Sequence, residues 1–211
     1  MRLTDIDSNR LKRGEGITGE EWRLIDEAGG KLKDRDIIID DTAHLSIYNL
    51  RSKVFRLVRS RGVRVVIIDY LQLMEGKKGK DGSEYYGSIS STCKQVAKEL
   101  KITILLLSQL NRDVEKRGEK IPRLYDLRES GNIEQDADIV MFPVRCGFAG
   151  IDDPSKGLDD TKAIIAIAKN RHGRIDNVRI NVSPNAAQWT DESDMFFGPT
   201  TPVAQSWLKD D

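Results

Sequence analysis

The sequence predicts an α/β fold on a largely parallel sheet, and three observations carry that reading. Val65-Val66-Ile67-Ile68 and Ile102-Thr103-Ile104-Leu105-Leu106-Leu107 are apolar, mostly β-branched runs. Such runs read as strands buried on both faces, as in a parallel sheet. Segments of helical spacing alternate with them, and polar loops follow the strand ends. The right-handed crossover rule then places helices on both faces of the sheet.

In chain order, residues 5–35 read as helical, with Thr18-Gly19-Glu20-Glu21 as a start signal, Trp22, Ile25 and Leu32 as apolar marks, and Gly29-Gly30 as a break. Ile37-Ile38-Ile39 reads as a short strand before Asp40-Asp41. Ser46 caps a helix from Ile47 to Arg61, whose Leu50, Val54, Leu57 and Val58 follow helical spacing and which Gly62 closes. After the 64–69 strand, residues 75–87 form a charged, Gly-rich loop, and a helix runs from Ser88 to Leu100. The strand at 102–107 ends at Ser108-Gln109. Arg112 to Arg123 reads as a polar loop, Ile133 to Ala137 as a short helix, and Ile139 to Phe142 as a strand. A third loop covers 147–161. Strands at Lys162–Lys169 and Asn177–Val182 pair through the turn at His172-Gly173-Arg174, and the tail after Ser183 runs irregularly over the surface.

Composition narrows the function classes. The chain has 211 residues, enough for one sizeable core. Apolar residues make up 38% and charged residues 32%, with 34 basic and 34 acidic side chains. Zero net charge argues against coating nucleic acid by charge alone and leaves local basic loops open. No apolar run approaches the roughly 20 residues of a membrane span, and the N-terminus lacks a signal-peptide core. Two cysteines, Cys93 and Cys146, form neither zinc spacing nor a disulfide framework and read as buried thiols of a reducing cytoplasm.

Three strand ends carry chemistry. Asp69 ends a buried strand where open α/β sheets bind ligands. A carboxylate there either pairs with a hydrated Mg²⁺ at nucleotide phosphates or caps a following helix. Gln109 ends the next strand, and a carboxamide there both donates and accepts. It reads either as a phosphate sensor or as an ordinary polar terminus. Lys169 and Arg171 flank Asn170 at i and i+2, so both cations project together, suited to phosphate or to a solvated hairpin end. The stretch Asp126-Leu127-Arg128-Glu129-Ser130-Gly131-Asn132-Ile133-Glu134-Gln135-Asp136-Ala137-Asp138 is the most idiosyncratic. Gly131 permits close backbone approach and Arg128 can reach a phosphate, or the stretch is simply a charged turn opening a helix. Gly76-Lys77-Lys78-Gly79-Lys80-Asp81 imitates a phosphate loop but fails the G-x4-G-K-[ST] spacing. His44 and His172 are too isolated for a metal site.

Together these segments resemble the C-terminal motor domain of DnaB-type replicative helicases. The resemblance rests on Ile67-Ile68-Asp69-Tyr70-Leu71-Gln72-Leu73-Met74, on Leu107-Ser108-Gln109-Leu110-Asn111-Arg112-Asp113-Val114-Glu115, on the Arg-Glu-Ser-Gly block at 128–131, and on Ala168-Lys169-Asn170-Arg171-His172-Gly173. It covers residues 7–190. It implies a RecA-like fold with a C-terminal antiparallel hairpin, a homo-hexameric ring, ATP and Mg²⁺ as cofactors, and 5′-to-3′ movement along single-stranded DNA in the cytoplasm. Primase and a helicase loader are implied partners. Carried over by position, Asp69 looks like the Mg²⁺-associated aspartate and Gln109 like the residue coupling nucleotide state to DNA. Arg171 resembles the arginine finger acting on the neighbouring subunit's ATP, with Lys169 beside it. Arg128, Glu129 and Gly131 fall in the loop that tracks the DNA backbone.

The departures are as informative. No Gly-rich phosphate loop and no strand with the family's catalytic Glu occurs in the 211 residues. The expectation is therefore an N-terminally truncated motor domain over residues 1–190 with an irregular tail at 191–211. A fragment, a split or intein-interrupted gene, or a start codon placed too late would each yield it, from a bacterium or a bacteriophage. Alone, the chain is expected to lack ATPase and unwinding activity. The rivals are a non-enzymatic module of the same fold that binds helicase subunits or single-stranded DNA, and a recombinase-like or circadian-clock-like relative.

Overall fold

A computed structural model describes residues 4, 6, 8–33, 35–74, 82–118, 120–127, 131–183 and 188–192. Its order is α1 (Ser8–Arg13), α2 (Gly19–Lys33), α3 (Ile47–Arg61), β1 (Val65–Ile68), α4 (Gly82–Leu100), β2 (Thr103–Leu106), α5 (Gly131–Asp136), β3 (Ile139–Arg145), α6 (Cys146–Ala149), β4 (Lys162–Asn170), β5 (Asp176–Val182) and β6 (Trp189–Asp191).

Helix α2 starts at the expected signal. The Thr18 hydroxyl accepts from the Glu21 N–H (3.2 Å), and the Glu21 carboxylate accepts from the Thr18 N–H (2.8 Å), a reciprocal capping box. Gly29-Gly30 does not break it; the helix continues to Lys33. Two glycines cost about 1 kcal/mol each relative to alanine, and the charge pairs Arg23–Glu27 and Glu27–Lys31 run along its surface. Of the apolar marks of α2, Trp22 and Leu32 are exposed and Ile25 is half-buried, beside a buried Ala28.

Helix α3 keeps the expected ends. Ser46 accepts from the Asn49 N–H (3.2 Å), and Gly62 sits at φ 65°, where its N–H donates to the Val58 carbonyl. That left-handed φ is why glycine stands there. The chain then enters β1, crosses through α4 and returns as β2, parallel to β1 with Val65 opposite Thr103 and Ile68 opposite Leu106. Helix α4 begins at Gly82, six residues before the expected Ser88. Ile68, Leu71, Met74, Ile89, Cys93 and Ile133 form the buried cluster of this unit.

The strands are not buried on both faces. Burial alternates along β1 and β2, and Val65 (57% exposed), Ile67 (63%) and Leu105 (43%) face outward. Helices α3 and α4 cover only one side. Ile37-Ile38-Ile39 is likewise not a strand: it is exposed and pairs with no strand among the described residues, and the Ile37 N–H donates to the Arg35 carbonyl (2.7 Å). An apolar triplet with no neighbouring strand has no ladder to join.

The second half is an antiparallel sheet in the order β3-β4-β5-β6. The expected hairpin is its β4–β5 pair, with Lys162 opposite Asn181. A register shift lies between Val140, opposite Lys169, and Met141, opposite Ile167. Two expected irregular regions are ordered. In 147–161, α6 and a bridge between Asp153 and Leu158 pack Cys146 and Leu158 into the core with Phe142 and Val144. A Cβ at Gly147 would lie 2.8 Å from the Asp160 Cβ, which explains a glycine there. Past Ser183, Trp189–Asp191 pairs with β5 as β6. Among the described residues the parallel part is thus two strands, and the antiparallel part is larger than one hairpin.

Candidate nucleotide and nucleic-acid site

Asp69 directly follows Ile68, the last residue of β1, and its own peptide bond to Tyr70 is cis. Its side chain is exposed and makes no hydrogen bond or ion pair among the described residues. It caps nothing: the short 3-10 turn Leu71–Leu73 has Tyr70 at its N-cap with no side-chain bond. The backbone around it is fixed, because the Leu107 N–H donates to the Ile68 carbonyl (3.0 Å) and the Leu71 N–H donates to the Leu107 carbonyl (2.9 Å). Gln109 leaves β2 on the neighbouring strand and is also exposed. Gln72 joins the two strand ends. Its amide nitrogen donates to Ser108 Oγ (3.2 Å), and its amide oxygen accepts from the Gln109 N–H (3.1 Å). Gln72 stands within the Asp69 motif, yet its neighbours in sequence give no sign of this role.

Lys169 and Arg171 meet at the end of α5. Lys169 Nζ donates to the Glu134 carbonyl (2.5 Å) and reaches the Gln135 carbonyl (3.4 Å). The Arg171 guanidinium donates to the same Gln135 carbonyl (2.5 Å) and to Asp138 Oδ1 (3.4 Å), while its N–H donates to the Asp138 carbonyl (2.9 Å). Cations at a helix C-terminus satisfy its orphan carbonyls and oppose its dipole. Asp138 is held below the usual carboxylate range, first by Lys94 and then by the charges of Arg171 and His172. Asp136 accepts from the Ser90 hydroxyl of α4. No hydrogen bond among the described residues joins Lys169 or Arg171 to Asp69 or Gln109, which leave different sheets.

Between these groups runs the segment to the Arg-Glu-Ser-Gly block. Asp126 is buried and accepts from Arg117 (2.5 Å) and from the Arg123 N–H (2.7 Å); the Arg117 guanidinium lies 5.2 Å from the Tyr125 ring centre. Gly131 opens α5. Arg128 and Glu129 lie outside the described residues, as does the phosphate-loop imitation at 76–81. Among the described residues no group of three or more His, Cys, Asp or Glu side chains could hold a metal ion, and no helix is long and apolar enough to cross a membrane.

The model of the DnaB-like helicase C-terminal domain matches residues 1–191. The chain belongs to that family. It is 37% identical over 178 residues to the replicative DNA helicase DnaB of Geobacillus stearothermophilus, covering 83% of this chain and 38% of that protein. The same shares hold for replicative DNA helicase DnaC of Bacillus subtilis strain 168, at 38% identity. This DnaB-like chain therefore spans well under half of those relatives. A structure solved as an ATPase domain superposes with a TM-score of 0.79 at 34% identity, over 88% of this chain and 66% of that one. A DnaB-like replicative helicase whose structure was reported with its interactions with primase gives the same TM-score at 33% identity, over 88% and 44%. These neighbours make the fold a RecA-like helicase domain.

The residues present fit one side of a magnesium–nucleotide site. Asp69 is exposed and has no side-chain partner among the described residues, which suits a carboxylate facing metal-bound water. No phosphate-cradling loop occurs in the sequence.

Proposed function

We propose that this DnaB-like chain supplies the magnesium-side, sensing and trans-acting parts of an ATP-dependent replicative DNA helicase. The observation that carries this is the Gln72 clamp, which ties the adjacent strand ends that carry Asp69, without a side-chain partner among the described residues, and Gln109. Bound Mg²⁺–ATP would supply the hydrolysis that drives movement. Asp69 would hold the hydrated metal, and Gln109 would report nucleotide state along the segment leading to Arg128, Glu129 and Gly131. These three would contact the backbone of single-stranded DNA. Arg171, with Lys169 beside it, would stabilise charge on the ATP of a neighbouring subunit in a homo-hexamer. Helix α5 opens at Gly131 and ends on the carbonyls that hold Lys169 and Arg171, so one short element links the DNA-side segment to both cations.

The uncovered face of β1 and β2 supports an incomplete domain. Val65, Ile67 and Leu105 present apolar surface of the kind that marks a packing site. In this reading the phosphate-binding part of the motor covers it. Primase and a loader are proposed partners of the whole protein, and its setting is proposed to be the cytoplasm.

A chimaera tests the reading, with residues 1–190 replacing the matching segment of the Geobacillus DnaB. The expected result is DNA-stimulated ATP hydrolysis and unwinding, both lost in Asp69→Ala and in Arg171→Ala. A chimaera that assembles and binds ATP without hydrolysing it overturns the reading and favours a non-enzymatic binding module.

A further inference from the structure

We propose that the end of the β1–β2 sheet opposite Asp69 is a second nucleic-acid contact surface, binding the phosphate backbone. The charge distribution points there. Between Asp41 and Asp69 the sequence holds no acidic residue but six cations: Arg51, Lys53, Arg56, Arg59, Arg61 and Arg64. In a chain of zero net charge this is strong segregation. Arg51 pairs with Glu99 and Lys53 with Asp40. Arg56, Arg59, Arg61 and Arg64 are exposed and their side chains make no ion pair or hydrogen bond among the described residues, and neither do those of Lys98 and Lys101.

Backbone bonds bring these groups to one place. Arg59 and Arg61 lie in the last turn of α3, and Arg64 immediately precedes β1. The Thr103 N–H donates to the Arg64 carbonyl (2.9 Å), which sets Lys101 beside it. The Lys101 N–H reaches the Lys98 carbonyl at the end of α4, and Lys101 turns the chain at φ 52°. Glu99, between Lys98 and Lys101 in sequence, is paired with Arg51. The four residues of β1 lie between Arg64 and Asp69, so five steps of about 3.3 Å set Arg64 about 16 Å from the candidate nucleotide end.

Helix dipoles do not account for it. Each helix end carries about half a negative charge, far less than the cluster. Guanidinium groups match phosphate oxygens as forked donors, and three of these cations at the chain crossing are arginines. A cluster of exposed cations without side-chain partners among the described residues suits a polyanion, whose bound counterions they would release.

The test is fluorescence anisotropy of labelled oligo-dT with the 211-residue chain, across a salt series. The reversal R61E/R64E/K101E should weaken binding at least about tenfold and reduce the salt slope by about 2, at ~0.7 for each phosphate no longer neutralised. The neutral triple R61Q/R64Q/K101Q should move both in the same direction. A control of equal charge change, K12E/R13E/K33E, reverses other exposed cations without a side-chain partner among the described residues and should leave affinity within about twofold. Equal losses in both reversed chains, or no loss in either, overturn the proposal. So does DNA binding that survives while binding to poly-glutamate is lost, which would make the partner an acidic protein segment. Arg128→Ala in parallel reads the DNA-side segment separately. Its failure to weaken binding would count against the proposed function and leave this surface standing.

Discussion

Gln72 holds Gln109 in place: its side-chain oxygen accepts the Gln109 backbone N–H at 3.1 Å, across 37 residues of sequence. The same amide donates to Ser108 Oγ. One side chain therefore fixes the distance between the strand ends that carry Asp69 and Gln109. Replacing Gln72 by alanine should cost about 1 kcal/mol in urea unfolding and should speed amide exchange at Gln109 more than at mid-strand Leu105. Unchanged exchange at Gln109 would show that the clamp does not hold the strand end.

Asp69 and Asp126 are both carboxylates near the candidate site, and they should respond oppositely to truncation. Asp69 is exposed without a partner among the described residues, so Asp69→Ala should change stability by less than about 0.5 kcal/mol. Asp126 is buried and paired with Arg117, so Asp126→Ala should cost about 3 kcal/mol by stranding the guanidinium. Chemical denaturation of the two variants checks this. A large loss in Asp69→Ala would assign Asp69 a structural role.

The thiols report on packing. Burial pushes the Cys93 thiol up to about 11, with the Asp136 charge adding to it, and burial likewise raises Cys146. At about pH 8 neither should form thiolate in the native chain. A disulfide-exchange reagent should therefore react only after unfolding in urea. A fast-reacting native thiol would show that one of the two cores is open.

Acid should release the 36–42 segment from α3. Lys53, and then Thr42, hold the Asp40 carboxyl at about 2. Its unfolded value is about 3.9, so the unfolded chain binds more protons between those values. The contribution is full above about pH 4 and is lost as pH falls toward 2. The destabilisation caused by Asp40→Asn should thus be present at neutral pH and vanish near pH 2. A difference unchanged at pH 2 would assign it to something other than the Lys53 pair.

The 211 residues alone, given ATP, Mg²⁺ and single-stranded DNA, should show no hydrolysis above background, because the sequence holds no phosphate cradle. Phosphate release assays check this. Turnover abolished by Asp69→Ala would overturn it.

Local signals were legible wherever the deciding groups are close in sequence. Ser46 and Gly62 bracket α3, Thr18 and Glu21 open α2, and Val65–Ile68 announces a strand ending at Asp69. The family was legible too, since its motifs are contiguous. Tertiary structure decided the rest. Only packing shows that β1 exposes Ile67, because an apolar run does not say how many faces are covered. Only it ties Lys169 and Arg171 to the Gln135 carbonyl and Gln72 to Gln109, since those partners lie 34 to 37 residues apart and leave no periodic trace. The cations at Arg61, Arg64 and Lys101 were visible one by one, and the β1–β2 pairing gathered them into a surface. Capping and periodicity act within a few residues of the backbone. Which surfaces meet depends on the whole chain folding back on itself.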